Sequence, residues 1–416
     1  MRWQNRIAQY RASETAASRY DGCMHNTDSN SMVPMINWSE AGEQCTARWR
    51  SESGMPPPRR VAIANDMMKA DLAYRLASEG TALLWRGDFQ NARQLLQAMS
   101  RRADRKPRKT RAADTSAIPA ASFHLHRQAQ SQRARTLAMI LIPLDSDYTI
   151  PLRRAPDIRL ACTEVYGKSS EPSVASLREL LGLVGAHEWR KKGVEIPALG
   201  DGTAGARIHP HFGVFSPVRG EYLELVNTAP LPQKFPELEL AFDIGTGTGV
   251  LAAVLARRGI RRIIATDQDP RALACARENI SRLGLDARIE LVQADLFPEG
   301  RAPLVVCNPP WIPARPSSPI EHAIFDPDSR MLRGFLSGLA EHLEPGGEGW
   351  LVLSDIAEHL GLRTRGELLA LFEASGLRVI ERLDVRPHHP KVSDHTDPLH
   401  EARSKEVTSL WRLEER

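Results

Sequence analysis

Two short motifs, Asp243-Ile-Gly-Thr-Gly-Thr-Gly249 and Asn308-Pro-Pro-Trp311, decide how this chain of 416 residues is interpreted. The first follows the short, mostly apolar run 239–242, which is long enough for a buried parallel strand, and it precedes a helical pattern over 250–257. Glycines let the backbone approach a ligand closely, and a helix N-terminus offers free N–H groups. A strand, a glycine-rich turn and a helix in this order predict a nucleotide-binding element.

The spacing of the glycines distinguishes two classes of cofactor. The dinucleotide fingerprint G-x-G-x-x-G needs a third glycine at position 250, where this chain has Val250, so a nicotinamide oxidoreductase is disfavoured. The observed spacing, acidic-x-G-x-G-x-G, resembles the first motif of the class I S-adenosylmethionine (SAM) methyltransferases. With the second motif, the chain resembles the methyltransferases that carry Asn-Pro-Pro-aromatic. Among them are release-factor glutamine methyltransferases and ribosomal-RNA guanine or adenine N-methyltransferases.

Polar residues also follow the next three predicted strands. The run 262–266 ends in Asp267, and a carboxylate at the end of a second strand can accept hydrogen bonds from both ribose hydroxyls. The run 287–292 ends near Asp295-Leu296-Phe297, where the resemblance places the adenine of the cofactor. The run 303–307 leads into the second motif. Because ligands of open α/β sheets bind at the carboxyl ends of strands, these residues predict a single site.

The resemblance assigns roles to individual residues. The expected contacts to SAM come from Asp243, Gly245, Thr246, Gly247, Gly249, Asp267, Gln268, Asp295, Leu296 and Asn308. Asp243 is expected to contact or orient the methionine moiety. No metal is expected.

The second motif carries the predicted chemistry, which is methyl transfer to a planar, conjugated nitrogen. Such a nitrogen is a poor nucleophile, because its lone pair is delocalised, and it needs positioning and hydrogen bonds that concentrate charge on it. Asn308 supplies a side-chain oxygen and Pro309 a carbonyl, while Pro309 and Pro310 fix φ. Trp311 is expected to stack on the acceptor. The related subfamilies have Tyr or Phe at this position, so their substrates are not carried over.

Composition is ordinary for a protein with a folded core: 42% of the residues are hydrophobic and 25% are charged. The chain shows no transmembrane run and no secretory signal, and its five cysteines are scattered without a C-x-x-C pair. These features predict a cytoplasmic protein without membrane contact. The net charge of +4 is unevenly distributed, with the basic excess in the N-terminal third.

The predicted fold class is α/β, a Rossmann-like seven-stranded methyltransferase sheet over 205–416, with a mostly helical N-terminal region. Residues 1–58 are expected to be a disordered tail or to precede the true start. Residues 60–200 are predicted to form a recognition domain, with two or three helices over 61–102. The basic stretch 101–121 is either a linker or a phosphate-binding segment.

Two further segments are expected near the site. The segment 208–226 resembles the family's approach to the cofactor, with Ser216 as a helix N-cap before Pro217. His209 and His211 are expected to be turn residues. The polar segment 386–405 is expected to form a loop over the acceptor mouth rather than a metal site.

The predicted function is SAM-dependent N-methylation of a macromolecule, with an RNA base (rRNA or tRNA) placed ahead of a protein glutamine amide. A small-molecule acceptor is the third alternative. A non-catalytic module that binds nucleic acid ranks last, because the acceptor Asn308 and the ribose-binding Asp267 are both present. The sequence does not indicate the oligomeric state.

Overall fold

The structure, a computed structural model, describes residues 33–104, 119–200, 206–218, 220–234, 238–316, 321, 323–388 and 397–416. These residues form two compact units. The first contains 33–104 and Ala129–Gly185, and the second contains 119–128 and Ala186–Arg416. The predictions for 1–32, for most of the basic stretch 101–121 and for 389–396 of the polar segment lie outside the described residues.

The N-terminal unit is built on a mixed six-stranded sheet. Its strands are β1 (Met35–Glu40), β2 (Glu43–Arg50), β3 (Arg60–Ala64), β4 (Thr81–Trp85), β5 (Ile140–Leu144) and β6 (Ser173–Ser176). Its helices are α1 (Ala70–Ser78), α2 (Phe89–Ala103), α3 (Pro119–Leu137), α4 (Arg159–Tyr166) and α5 (Leu177–Lys192), of which α3 and α5 extend into the second unit. The strand order is β1-β2-β6-β5-β4-β3, in which β3, β4 and β5 run parallel.

The prediction of a mostly helical N-terminal region is wrong, because Thr81–Trp85 is an interior strand between β3 and β5. The four side chains of 82–85 are all buried. A strand covered on both faces has a continuous apolar run without alternation, and Leu83 and Leu84 also fit a helical spacing. Helices do flank this strand, so the stretch forms alternating strands and helices.

The prediction that residues 1–58 are unstructured is wrong for Met35–Arg50, which forms the antiparallel pair β1–β2. Ile36 and Trp38 of β1 are buried with alternate residues of β2 in one apolar cluster. The connection, Ala41-Gly42, has positive φ at both residues, as a tight hairpin turn requires. Ala-Gly lacks the usual Asn-Gly or Asp-Gly signal of such a turn.

The second unit contains a seven-stranded sheet and a small two-stranded one. The small sheet pairs β7 (Val194–Glu195) with β8 (Arg207–Ile208). The large sheet contains β9 (Leu240–Ile244), β10 (Arg262–Asp267), β11 (Ile289–Gln293), β12 (Ala302–Cys307), β13 (Leu343–Ser354), β14 (Leu377–Val385) and β15 (Thr408–Glu415). The helices are α6 (Glu221–Thr228), α7 (Val250–Arg257), α8 (Pro270–Arg282), α9 (Arg330–His342), α10 (Ile356–His359), α11 (Arg365–Ala374) and α12 (His400–Lys405).

The large sheet has the order β11-β10-β9-β12-β13-β15-β14, and β15 runs antiparallel to both of its neighbours. The predicted seven-stranded α/β sheet is therefore confirmed. One apolar cluster covers one face of the sheet and includes all of Val250–Ala256 of α7. A second covers the other face and includes Phe335 and Leu339 of α9. The strand order reverses between β9 and β12, which are neighbours at the centre and whose carboxyl ends form the crevice where such sheets bind ligands.

The prediction that Ser216 caps a helix is wrong, because α6 begins at Glu221 after Gly220. No helix in the described part of the chain is long and apolar enough to cross a membrane.

Candidate cofactor and acceptor site

The glycine turn follows β9 and opens α7. Gly245, Gly247 and Gly249 have φ of 72°, 55° and 80°, a region that L side chains rarely adopt. A Cβ on Gly249 would lie 3.3 Å from the Cβ of Ala276 on α8, whereas a Cβ on Gly247 would meet no atom within 4 Å. The turn therefore packs against α8 on one side and leaves an open face at Gly247.

Asp243 lies at the end of β9 and is fully buried. Its Oδ2 accepts hydrogen bonds from Thr246 Oγ1 at 2.7 Å and from the backbone N–H of Ala252 at 3.0 Å, so it joins the glycine turn to the first turn of α7. Its Oδ1 has no hydrogen-bond partner among the described residues. Burial raises the pKa of this carboxyl to about 6. A buried acceptor without a partner is costly unless a ligand supplies a donor.

Asp267, at the end of β10, is tied to the same turn. Its carboxylate accepts hydrogen bonds from the backbone N–H of Gly247 at 3.0 Å and of Asp269 at 2.9 Å. Burial raises the pKa of this carboxyl. A carboxylate has about four acceptor positions, so these bonds leave capacity for a ribose hydroxyl. The adjacent Gln268 is exposed, and its carbonyl accepts a hydrogen bond from the side chain of Gln293.

Asp295 and Leu296 follow β11 and lie differently from each other. Asp295 is exposed, and its carboxylate forms an ion pair with Arg330 on α9 at 2.5 Å. Leu296 has a positive φ of 84°, and its carbonyl accepts a hydrogen bond from Thr266 of β10. Its side chain packs on the cluster around α9. Leu296 is thereby fixed beside the end of β10, whereas Asp295 already has a cationic partner.

The segment 206–218 runs along α8 towards the end of β10. The backbone N–H of His209 donates to Asn279, that of His211 donates to Cys275, and Gly213 lies against Arg271, each about one turn nearer the helix N-terminus. Ser216 follows, and its Oγ is buried without a hydrogen-bond partner among the described residues. Sequence reasoning missed Ser216 as a ligand-binding candidate, because its place before Pro217 resembles a helix cap.

The second motif begins where β12 ends. Cys307 is fully buried, and burial raises the pKa of its thiol well above the ordinary range, which makes it a poor nucleophile. Asn308 is half-buried, and its Oδ1 accepts a hydrogen bond of 2.9 Å from Trp311 Nε1. The motif and the glycine turn share one edge of the sheet, because Cys307 pairs with Ile244, the residue before Gly245.

The chain after the second motif is held by residues that the sequence did not identify. Arg127, on the part of α3 in this unit, donates to Glu321 at 3.0 Å and to the carbonyl of Arg315 at 2.9 Å. Its guanidinium lies 3.8 Å from the ring centroid of Phe325. Phe123, one turn earlier, is buried in a cluster against which Trp311 packs. No local signal marks these contacts, because they join residues far apart in the chain.

The described residues contain no group of three or more His, Cys, Asp or Glu side chains that could hold a metal ion. Open hydrogen-bonding capacity is found instead at Asp243 Oδ1 and at Ser216 Oγ, and the turn between Asp243 and α7 has its open face at Gly247. Open acceptors of this kind require a ligand that carries hydrogen-bond donors, such as an ammonium and hydroxyl groups. Fold, turn and open acceptors together fit SAM, and they define the class I SAM-dependent methyltransferase architecture.

Comparison with known proteins identifies a family and several relatives that resemble the second unit. Residues 206–375 match the family described as methyltransferase small domain. The ribosomal protein L11 methyltransferase of Pelotomaculum thermopropionicum is 36% identical over 143 residues, which is 34% of this chain and 39% of that protein. The release factor glutamine methyltransferase of Cereibacter sphaeroides is 39% identical over 147 residues, which is 34% of this chain and 49% of that protein.

A second release factor glutamine methyltransferase, from Caulobacter vibrioides, is 33% identical over 177 residues, covering 40% of this chain and 61% of that protein. This chain thus spans between 39% and 61% of the length of these three relatives. The resemblance inferred from the glycine motif is confirmed, and so is SAM as the cofactor of the matched domain. The roles of the individual site residues remain predictions.

Proposed function

We propose that the protein is a SAM-dependent N-methyltransferase that acts on the planar exocyclic amine of an RNA base. The observation that carries the proposal is the position of Asn308, at the end of the strand that pairs with β9. The acceptor motif and the glycine turn therefore face one crevice. When bound, SAM supplies an electrophilic methyl group.

The residues of the chain would position the acceptor and concentrate charge on its nitrogen. Asn308 Oδ1 and the Pro309 carbonyl would each accept a hydrogen bond from the amine, which restores density to a delocalised lone pair. The amine proton becomes acidic only after transfer and is released to water, so no side-chain base is required. The buried Pro309 and the packed Trp311 would help to exclude water from this side.

Charge supports RNA as the acceptor. The N-terminal third carries the basic excess of the chain, and Lys and Arg clusters supply affinity for phosphate that does not depend on base sequence. The N-terminal unit would then act as the recognition domain. A protein glutamine amide is the second candidate, because two of the relatives are named release factor glutamine methyltransferases. Both acceptors are planar nitrogens and fit the same mechanism.

We also propose a cytoplasmic location. Four cysteines of the described residues, Cys45, Cys162, Cys275 and Cys307, are buried and free. Unpaired thiols are usual in a reducing compartment.

The deciding experiment incubates the purified protein with methyl-labelled SAM and a cell extract, which is then fractionated into RNA, DNA, protein and small molecules. Label in one RNA species is the expected result. Asn308→Ala should reduce the label by about 100-fold or more, because it removes a preorganised acceptor, with SAM affinity retained. Asn227→Ala, a half-buried asparagine on α6, is the matched control and should retain activity.

The possible results separate the alternatives. Label in a protein band would replace the RNA base by an amide nitrogen. Full activity of Asn308→Ala would refute the role of Asn308 in transfer. Tight SAM binding without label in any fraction would indicate a non-catalytic module.

A further inference from the structure

The side chains of Trp311 and Asn308 are joined by a hydrogen bond of 2.9 Å from the indole Nε1–H to Oδ1. An indole N–H only donates, whereas a side-chain amide has one accepting end and one donating end. The amide of Asn308 therefore has a single orientation in which this bond forms, with its oxygen towards Trp311. The donor fixes which end of the amide is the oxygen.

Trp311 can serve as a fixed reference because its ring is held by packing. The ring is half-buried and packs against three apolar clusters. Two of these clusters cover the opposite faces of the large sheet, and the third contains Phe123 of α3 and Ile356 of α10. A side chain confined in this way loses little additional entropy when it holds a second group in place.

The hydrogen bond leaves capacity for an acceptor amine. A carbonyl oxygen has two lone pairs, and Trp311 occupies one of those on Asn308 Oδ1. Within the described part of the chain, no other donor reaches this oxygen. A flipped amide would present its NH₂ group in place of the oxygen, and two donors would then face each other.

We propose that Trp311 is a positioning residue that sets the amide orientation of Asn308 for methyl transfer. This inference rests on the proposed function and adds to it the reason for a tryptophan at the aromatic position. Phenylalanine would pack similarly but has no donor. A tyrosine hydroxyl both donates and accepts, so it would not select one orientation.

A simpler explanation is that Asn308 merely satisfies the indole N–H of this half-buried ring. The test is to replace Trp311 site-specifically by 3-benzothienylalanine, which keeps the shape of the ring and has sulfur in place of N–H. For the positioning role, kcat for the labelled acceptor should fall about 10- to 100-fold, since small errors of placement have effects of that size. The Kd for SAM and the Tm should stay near those of the unmodified protein.

The same substitution at Trp189, a half-exposed residue of α5, is the matched control and should leave kcat unchanged. Trp311→Phe should behave like the isostere. An isostere with normal kcat would overturn the inference, because the ring alone would then suffice. A lower Tm or weaker SAM binding together with the fall in kcat would also overturn it, because the role would then be structural.

A second measurement does not depend on any methyl acceptor. In ¹⁵N-labelled protein, the Trp311 indole N–H resonance, assigned by its loss in Trp311→Phe, should exchange slowly with deuterium, and Asn308→Ala should abolish this protection. Fast exchange in the unmodified protein would refute the hydrogen bond. A protected resonance in a protein that labels no RNA would contradict the proposed acceptor, whereas unchanged protection in Asn308→Ala would contradict the inference.

Discussion

The two halves of the crevice are built in different ways. The proposed cofactor half consists of backbone and of two carboxylates, the buried Asp243 and the half-buried Asp267, which both bond to the glycine turn. The proposed acceptor half is assembled from side chains of distant segments, with Phe123 and Arg127 of α3 packed on the chain that follows the second motif. Short-range geometry sets the backbone of the cofactor half. The acceptor wall, which consists of Phe123, Arg127 and the chain after the second motif, depends instead on long-range packing. We therefore expect cofactor binding and acceptor binding to respond to different substitutions.

The largest effect should come from the cofactor half. Gly247→Val places a β-branched side chain at a φ of 55°, on the open face of the turn. Backbone strain and the loss of that open face should reduce SAM affinity by about 100-fold or more, measured by calorimetry. Gly284→Val is the matched control, because Gly284 has a φ of 67° and open surroundings but lies in the loop between α8 and β11. It should lower Tm and leave SAM affinity unchanged, and equal losses of affinity in both would contradict this assignment.

A smaller change in SAM affinity should come from pH, through the ionisation of Asp243 in the cofactor half. Burial raises the pKa of Asp243 to about 6, and the nearby Asp267 adds to the rise. An ionised carboxylate attracts the ammonium of the methionine moiety, so SAM affinity should fall as the pH drops through 6, by about tenfold between pH 7 and pH 5. In Asp243→Asn this dependence should disappear. Isothermal titration at several pH values measures it, and an equal slope in both proteins would exclude Asp243.

The stability of the ligand-free protein should fall as the pH rises, whereas SAM affinity should increase. The folded-state pKa of Asp243 lies above the unfolded value of 3.8, so the folded state holds the proton more tightly. Its burial penalty is absent below about pH 4 and fully present above about pH 6. The free energy of unfolding of the ligand-free protein should therefore decrease as the pH rises across that window, because Asp243 becomes ionised while buried. Tm measurements on Asp243→Asn and the unmodified protein isolate the contribution.

The smallest effect should come from the acceptor half. Arg127→Met removes the ion pair with Glu321 and the contact with the Phe325 ring, so the chain after the motif loses one attachment. The KM for the acceptor should rise about three- to fivefold, with SAM affinity unchanged. Arg133→Met is the control on the same helix, because Arg133 pairs with Asp104 in the N-terminal unit. Weaker SAM binding in Arg127→Met would contradict the expectation that cofactor binding and acceptor binding respond to different substitutions.

The sequence was sufficient for the strands and the glycine turn of the cofactor half because their signals are local. Each central strand of the large sheet is a short apolar run that ends in a glycine, an acid or an asparagine, and the structure has strands at all of these runs. The strand Thr81–Trp85 was missed because an apolar run buried on both faces has no period that separates strand from helix. The acceptor wall was missed for another reason. Nothing in the residues around Phe123 indicates a partner nearly two hundred positions away.

That separation has a consequence for how the chain folds. Arg127 lies 188 and 194 residues before the two residues to which it donates. At ordinary rates of synthesis the partners emerge from the ribosome roughly 10–40 s after Arg127 does. The segment 119–128 therefore cannot form these contacts until β12 and the residues after it have been synthesised. Contacts of such long range are slow to form, so we expect the acceptor wall to close late in folding, after the cofactor half has formed.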